Sequence, residues 1–392
     1  MMKILLFLLF ITVISVCSGD EYRRVCYYES WAQYRPKIGI FVPESIEPQL
    51  CTHINFAFAT LDPSGLNIKA VDWNDDPVMY KRFTDLKIKN PRLKVMLSVG
   101  GWSMNSTLFH NAVAIEATRT TAANNIVTFL RSHNFDGIDI DWEFPGSRGS
   151  PPEDVHKFTQ YVIAIRNAFD RDGVESDKPT LQLSAAFGPR LESINDTYEV
   201  PEVTRYFDFI NLMFYELHGT WDNIAKHHAP LFGSSNDGDG LVIDTLINGW
   251  IKMGVTKNKL VLGVPFYGKT YKLADASKSG EGAVITGPGE AGSITKQSGT
   301  LSYQEICLKI NQGAVVKRLT GQSAPYLVDG DTWIGFDDQQ SLIEKMRYIV
   351  KHGYGGAMIW AIDMDDFNGV CGGETFPLLK AMYRSLLGGL IG

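Results

Sequence analysis

Short, nearly continuous apolar segments recur along this chain with amphipathic stretches between them, and that alternation restricts the fold more than any other feature. The segments fall at residues 24–28, 52–59, 93–99, 137–143, 181–187, 207–215, 260–267 and 356–362. They are rich in β-branched and aromatic residues and mostly continuous in apolar character, as strands buried on both faces are. Stretches such as 121–133 and 155–170 have helical periodicity. Strand–helix alternation with eight strands predicts an α/β fold, a closed parallel (β/α)8 TIM barrel, with a doubly wound open sheet as the alternative. One interval breaks the rhythm. From 267 to 333 the text turns to Gly, Ser, Thr and short alternating pieces. It predicts a small α+β insertion between the seventh and eighth strands, on the barrel's C-terminal rim, packed around Tyr303, Tyr326 and Trp333. The expected division is a leader at 1–19, a first barrel part at 20–266, the insertion at 267–336 and the last barrel part at 337–392.

The first residues read as a secretory leader: a positive Lys3, an apolar run over 4–16, small Ser18 and Gly19, then polar Asp20-Glu21. The run is shorter than the roughly 20 apolar residues a membrane span needs, and no later run reaches that length. A secreted, extracellular protein with no membrane partner is therefore expected. Cys17 would leave with the leader, and Cys26, Cys51, Cys307 and Cys371 would remain. An even count in an oxidising compartment predicts two disulfides. Three pairings are open, and Cys26–Cys51 with Cys307–Cys371 is favoured because it keeps each bridge within one end of the chain. Asn105-Ser106-Thr107 and Asn195-Asp196-Thr197 are glycosylation sequons. The formal net charge is −7 with no basic run, which excludes a nucleic-acid partner and suits a neutral ligand. Nothing points to a cofactor or metal, and a monomer is expected.

The chemistry is concentrated in Asp136-Gly137-Ile138-Asp139-Ile140-Asp141-Trp142-Glu143. Strand side chains alternate faces, so Asp139, Asp141 and Glu143 share one face and Ile138, Ile140 and Trp142 the other. The apolar set belongs against the helices, which turns the three acids into the barrel lumen. Three carboxylates in a low-dielectric space are costly unless some are protonated or hydrogen-bonded. That crowding raises at least one pKa, the usual means of keeping an acid protonated near neutrality. Glu143 comes last, at the C-terminal mouth where barrel enzymes keep their sites. A solvated acidic loop would not alternate with Ile, Ile and Trp, and a metal site would add His or further carboxylates.

This octapeptide resembles the DxxDxDxE signature of family 18 glycoside hydrolases, the animal chitinases and chitinase-like lectins. Ser98-Val99-Gly100-Gly101-Trp102 is similar to the family's SxGG motif, Met213-Phe214-Tyr215-Glu216 to its MxYD motif, and Met358-Ile359-Trp360-Ala361 to its last-strand segment. The resemblance runs from Val25 to about Leu387 and includes the four cysteines. Four positions depart from it: Glu216 stands where the motif has aspartate, Lys269 where animal members often have arginine, and Gln297 and Thr300 in the insertion where larger or charged groups are common.

The resemblance implies substrate-assisted hydrolysis of β-1,4-linked N-acetylglucosamine polymers, chitin or its oligosaccharides, with retention of configuration; the family is an exception to the two-carboxylate scheme. Glu143 would be the acid, then the base. Asp141 would hold the acetamido N–H, Tyr215 its oxygen, and Asp139 would share a proton with Asp141. Sugar rings have apolar faces that aromatic side chains cover. Trp360 is expected to floor the cleft, with Tyr27, Trp31, Trp102, Trp221 and Tyr267 at neighbouring subsites and Phe58 nearer the core. Gly101, Asp136, Met213, Glu216, Lys269 and Met358 complete the expected substrate-binding set. The alternative is a weak or inactive chitin-binding lectin on the same fold. Such relatives typically lose the final glutamate, which is retained here.

Overall fold

The computed structural model describes residues 22–233, 240–319 and 321–388. The expected leader at 1–19, with Cys17, lies outside the described residues. The eight apolar segments form β1 (Arg23–Glu29), β2 (His53–Leu61), β3 (Lys94–Gly100), β4 (Gly137–Asp141), β5 (Gln182–Phe187), β6 (Phe209–Leu212), β7 (Leu260–Pro265) and β8 (Gly356–Trp360). Each pairs in parallel with the next, and β1 pairs with both β2 and β8, so the sheet closes. This is the expected (β/α)8 barrel. A short strand, Ile68–Ala70, adds antiparallel to the end of β2.

The outer layer contains α1 (Glu116–Ser132), α2 (Asp154–Ser176), α3 (Ile243–Lys252), α4 (Gln339–His352) and α5 (Pro377–Gly388). In α2 the large buried apolar side chains are Phe158, Tyr161, Val162, Ile165 and Phe169, a single stripe of helical period facing the sheet. α4 begins at a reciprocal cap in which Asp338 accepts from the Ser341 N–H at 2.9 Å while Ser341 Oγ accepts from the Asp338 N–H at 3.0 Å. It ends at Gly353, whose φ of +68° suits glycine.

Between β7 and β8 the chain builds a second, antiparallel sheet. Tyr267–Leu273 pairs with Ile285–Pro288 and Thr300–Ser302 on one side and with Thr332–Gly335 on the other; Ala324–Asp329 and Lys317–Leu319 continue it. Trp333 stacks between Tyr271 and Tyr326, with ring centroids 5.7 and 5.1 Å away. The helix Tyr303–Asn311 closes the other face, burying Ile306 with Leu301, Leu327, Ile334 and Phe336. Cys26 is bonded to Cys51 and Cys307 to Cys371.

Several strands stop short of the sequence expectation. β4 ends at Asp141 and β6 at Leu212, so Glu143, Met213 and Tyr215 stand on the first residues of loops. Tyr267 does not end β7 but begins the inserted sheet. The peptide bonds Ala57–Phe58, Glu143–Phe144 and Trp360–Ala361, all at this same end of the barrel, are cis.

Candidate active site

The lumen solves the cost of buried acids one residue at a time. Asp139 is fully buried and accepts four hydrogen bonds. Oδ2 takes the Tyr27 hydroxyl at 2.6 Å and Ser98 Oγ at 2.8 Å; Oδ1 takes Ser184 Oγ at 2.6 Å and Asn211 Nδ2 at 3.1 Å. The donors come from β1, β3, β5 and β6, and parallel register sets two of them directly beside Asp139: Ser98 on β3 and Ser184 on β5. Burial raises the Asp139 pKa, and the hydrogen bonds from Ser184, Tyr27, Ser98 and Asn211 oppose it. A carboxylate is acceptor-only, so a ring of four donors fits the ionised form.

The expected proton-sharing contact between Asp139 and Asp141 is not formed. Both Asp139 oxygens are occupied by those donors, and buried Asp141 Oδ1 accepts no hydrogen bond from the protein. Burial, then Glu143, then Asp139 drive the Asp141 pKa well above the carboxylate range. Two glycines bring β3 close to this residue. Gly101 N–H donates to the Asp141 carbonyl at 2.9 Å. A Cβ on Gly100, at φ +123°, would lie 2.0 Å from that same oxygen. The Ser-Val-Gly-Gly spacing thus puts one donor on Asp139 and seats β4 at close range. Gly101 makes room for the Phe58 ring, which a Cβ would approach at 2.6 Å.

Glu143 lies above them, partly exposed. Burial pushes its carboxyl up to about 7; Arg148 pulls it down and Glu216 adds to the rise. Sequence reading missed Arg148. Its guanidinium donates to the Glu143 carbonyl at 3.0 Å and the Trp102 carbonyl at 2.8 Å, and covers the Trp102 ring at 3.7 Å. Trp142 points outward, as alternation requires: it stacks on Phe109 at 4.9 Å and donates from Nε1 to Ser106 Oγ at 2.9 Å.

Aromatic rings line the mouth. Trp360 stacks with Phe58 at 5.6 Å, and Phe58 with Trp31 at 6.2 Å. Trp31 is 43% exposed, Trp102 62% and Trp221 54%. Phe58 is therefore a partner of the two indoles and only partly buried, not a core residue. Trp73, 80% exposed, was also missed. It follows Asp72, whose carboxylate accepts a hydrogen bond from exposed Tyr34 three residues past Trp31. The available signal was a lone indole in the polar stretch Asp72-Trp73-Asn74-Asp75.

Other expected site residues sit differently. Tyr27 and Tyr267 are buried, so neither offers a ring face to a ligand; their hydroxyls hold Asp139 and, at 3.0 Å, Glu216 Oε1. Met358 is buried as well, its sulfur 3.8 Å from the Tyr215 hydroxyl. Asp136 is not at the site. It precedes β4 at the opposite end of the barrel, accepts the Val95 N–H at 2.8 Å and pairs with Lys87 at 3.2 Å. Its parity with Ile138 already put it on the other face. Glu216 does not reach into the lumen: it has φ +53°, and Lys269 Nζ pairs with the same Oε1 at 3.2 Å. Tyr215 remains at the mouth, edge-on to Tyr267 at 6.3 Å, and Met213 is partly buried on the same loop. Both sequon asparagines, Asn105 and Asn195, are exposed.

A mouth that is acidic below and aromatic above suits a neutral ring with an apolar face and polar rim, which sets the protein among carbohydrate-processing barrels. Residues 23–365 match the family Glycosyl hydrolases family 18. The chain is 38% identical to Chitotriosidase-1 of Mus musculus, covering 96% of this chain and 80% of that one. Its fold is similar to Ostrinia furnacalis Group II chitinase catalytic domain 2, solved as a mutant in complex with a chito-oligosaccharide (TM-score 0.89, 36% identity, 94% of this chain and 97% of that one). It is equally similar to human YKL-39, described as a pseudo-chitinase with retained chitooligosaccharide binding (TM-score 0.88, 37% identity, 93% and 99% covered). The chain belongs to glycosyl hydrolase family 18.

Proposed function

We propose that this protein is a secreted chitinase that cleaves β-1,4-linked N-acetylglucosamine chains with retention of configuration. The observation that carries the reading is Glu143, at the C-terminal end of β4 with a carboxyl pushed up to about 7 beside buried Asp141. Glu143 protonates the glycosidic oxygen as the bond to C1 breaks, and the leaving sugar takes the electron pair. The acetamido carbonyl oxygen of the sugar bound over Trp360 closes on C1. Asp141, in its charged form, accepts the acetamido N–H and stabilises the positive charge that develops. The Tyr215 hydroxyl orients the acetamido oxygen. Water then attacks C1, gives its proton to Glu143, and the acetamido group is released. Asp139 and its four donors hold the charge below this reaction.

The second reading, a chito-oligosaccharide binder without turnover, is favoured by the pseudo-chitinase among the similar structures. A pH–rate profile for chitotetraose separates the two. Activity requires protonated Glu143, so kcat/KM is expected to fall as pH rises through about 7. Arg148→Gln removes a cation that lowers this pKa, so the alkaline limb moves up, by roughly 0.2–0.7 pH unit for a solvent-exposed partner. Binding without hydrolysis at every pH would sink the first reading and leave the second.

A further inference from the structure

Beneath the aromatic floor lies a buried ionic cluster with no part in the chemistry above. Glu29, the last residue of β1, Arg35 and Asp363 are each at least nine-tenths buried. Arg35 Nη2 pairs with Glu29 Oε2, and Nη1 reaches Asp363 Oδ2 at 2.5 Å and its carbonyl oxygen at 3.2 Å. The Glu29 N–H donates to Asp363 Oδ1 at 3.0 Å, and the neighbouring Asp363 carboxylate raises the Glu29 pKa. The placement of these residues is informative. Glu29 and Arg35 bracket the Ser30–Tyr34 turn that carries Trp31, and Asp363 lies three residues past Trp360, in the turn Ile362–Met364. The cluster therefore ties together the two chain segments that present the neighbouring indoles, whose centroids are 6.4 Å apart.

We propose that Glu29, Arg35 and Asp363 are positioning residues that set the relative placement of the Trp31 and Trp360 rings for a bound sugar chain. The idea rests on the carbohydrate reading of the cleft. The chemistry of the cluster restricts how it works. Two buried carboxylates against one guanidinium would leave an uncompensated negative charge, which is unfavourable away from water. Burial and neighbouring Asp363 hold the Glu29 carboxyl well above its ordinary range, against the pull of Arg35. The neutral form of Glu29 is therefore the less costly one in this cluster.

Three variants of the full chain test this, each read by thermal midpoint, near-ultraviolet circular dichroism of the coupled indoles and chitotetraose affinity by calorimetry. Glu29→Gln keeps a neutral hydrogen-bonding group, so affinity stays within about twofold. Glu29→Gln with Asp363→Asn strands Arg35 and lowers all three readouts. Adding Arg35→Met to that pair removes the stranded charge and recovers the thermal midpoint. The staple is still missing, so the near-ultraviolet signal stays altered and affinity stays about tenfold weaker, the scale of misplaced aromatic contacts. Wild-type affinity and indole signal in the triple variant would overturn the positioning role. Glu29→Gln as damaging as the double variant would overturn the neutral form of Glu29. None of these readouts needs turnover, and the indole signal needs no ligand. A chain that binds without cleaving, or binds a different sugar, fails the proposed function while still reporting on the cluster.

Discussion

Glu143→Gln is expected to reduce kcat on chitotetraose about 10²–10⁴-fold, the usual contribution of a general acid, while chitotetraose affinity stays essentially intact. The amide is isosteric and still hydrogen-bonds, but it has no proton to give to the leaving oxygen. The neighbouring carboxyls give no substitute. Asp141 lies deeper, and Asp139 is held by four donors beneath it. Glu216 is paired with Lys269 and Tyr267 at the rim. The loss therefore falls on kcat rather than on KM, the pattern of a group that acts in the transition state. Parallel kinetics and calorimetry on the wild type and the variant check it. A variant that kept more than a tenth of wild-type kcat would show that another group protonates the glycosidic oxygen.

The largest effect on stability is expected from Asp337→Asn. Lys345 on α4 is fully buried, with Nζ 2.5 Å from Asp337 Oδ2 and 2.8 Å from the Ala229 carbonyl. Asp337 also accepts the Ser341 hydroxyl at 2.7 Å. The pair stands where the chain returns from the inserted sheet to the barrel, so it joins that return, α4 and the loop after β6. Removing one charge leaves the other buried and unmatched, which costs about 3–5 kcal/mol. Burial already lowers the Lys345 pKa, with Asp337 the main opposing influence. Adding Lys345→Met to Asp337→Asn should recover most of the loss, because the stranded charge has gone. Urea midpoints of the wild type, the single and the double variant measure both steps. A double variant as unstable as the single, or more so, would contradict the account.

The sequence made the barrel legible because its signals are local. Strands buried on both faces leave continuous apolar text, and all eight segments became barrel strands. The acid row was legible for the same reason: period-2 alternation from Ile138 to Glu143 fixes which side chains face the lumen. What stayed hidden depends on contacts between distant parts of the chain. Tyr27, Ser98, Ser184 and Asn211 converge on Asp139 from four strands, and no spacing within one strand reveals that. The same holds for Arg148, whose φ of +52° folds it back onto Trp102. Tyr27 and Tyr267 carried an aromatic signal that suited a sugar platform, but burial turned each into a hydroxyl donor for a carboxylate. Asp136 was drawn into the site by proximity in the sequence, although its parity with Ile138 argued against it. Lys345 left a trace that can be read in retrospect. It interrupts the buried stripe Leu342, Met346 and Ile349 on α4, where a lysine needs a buried partner.

One measurement bears most directly on the proposed route: proton NMR of chitotetraose during its first minutes with the enzyme, before the new reducing ends mutarotate. Two successive displacements at C1, the first by the sugar's own acetamido oxygen and the second by water, predict that the newly formed ends appear as the β-anomer and drift to α only later. New ends that appear first as α would mean a single direct attack by water, and the assignment of the nucleophile to the substrate would be wrong.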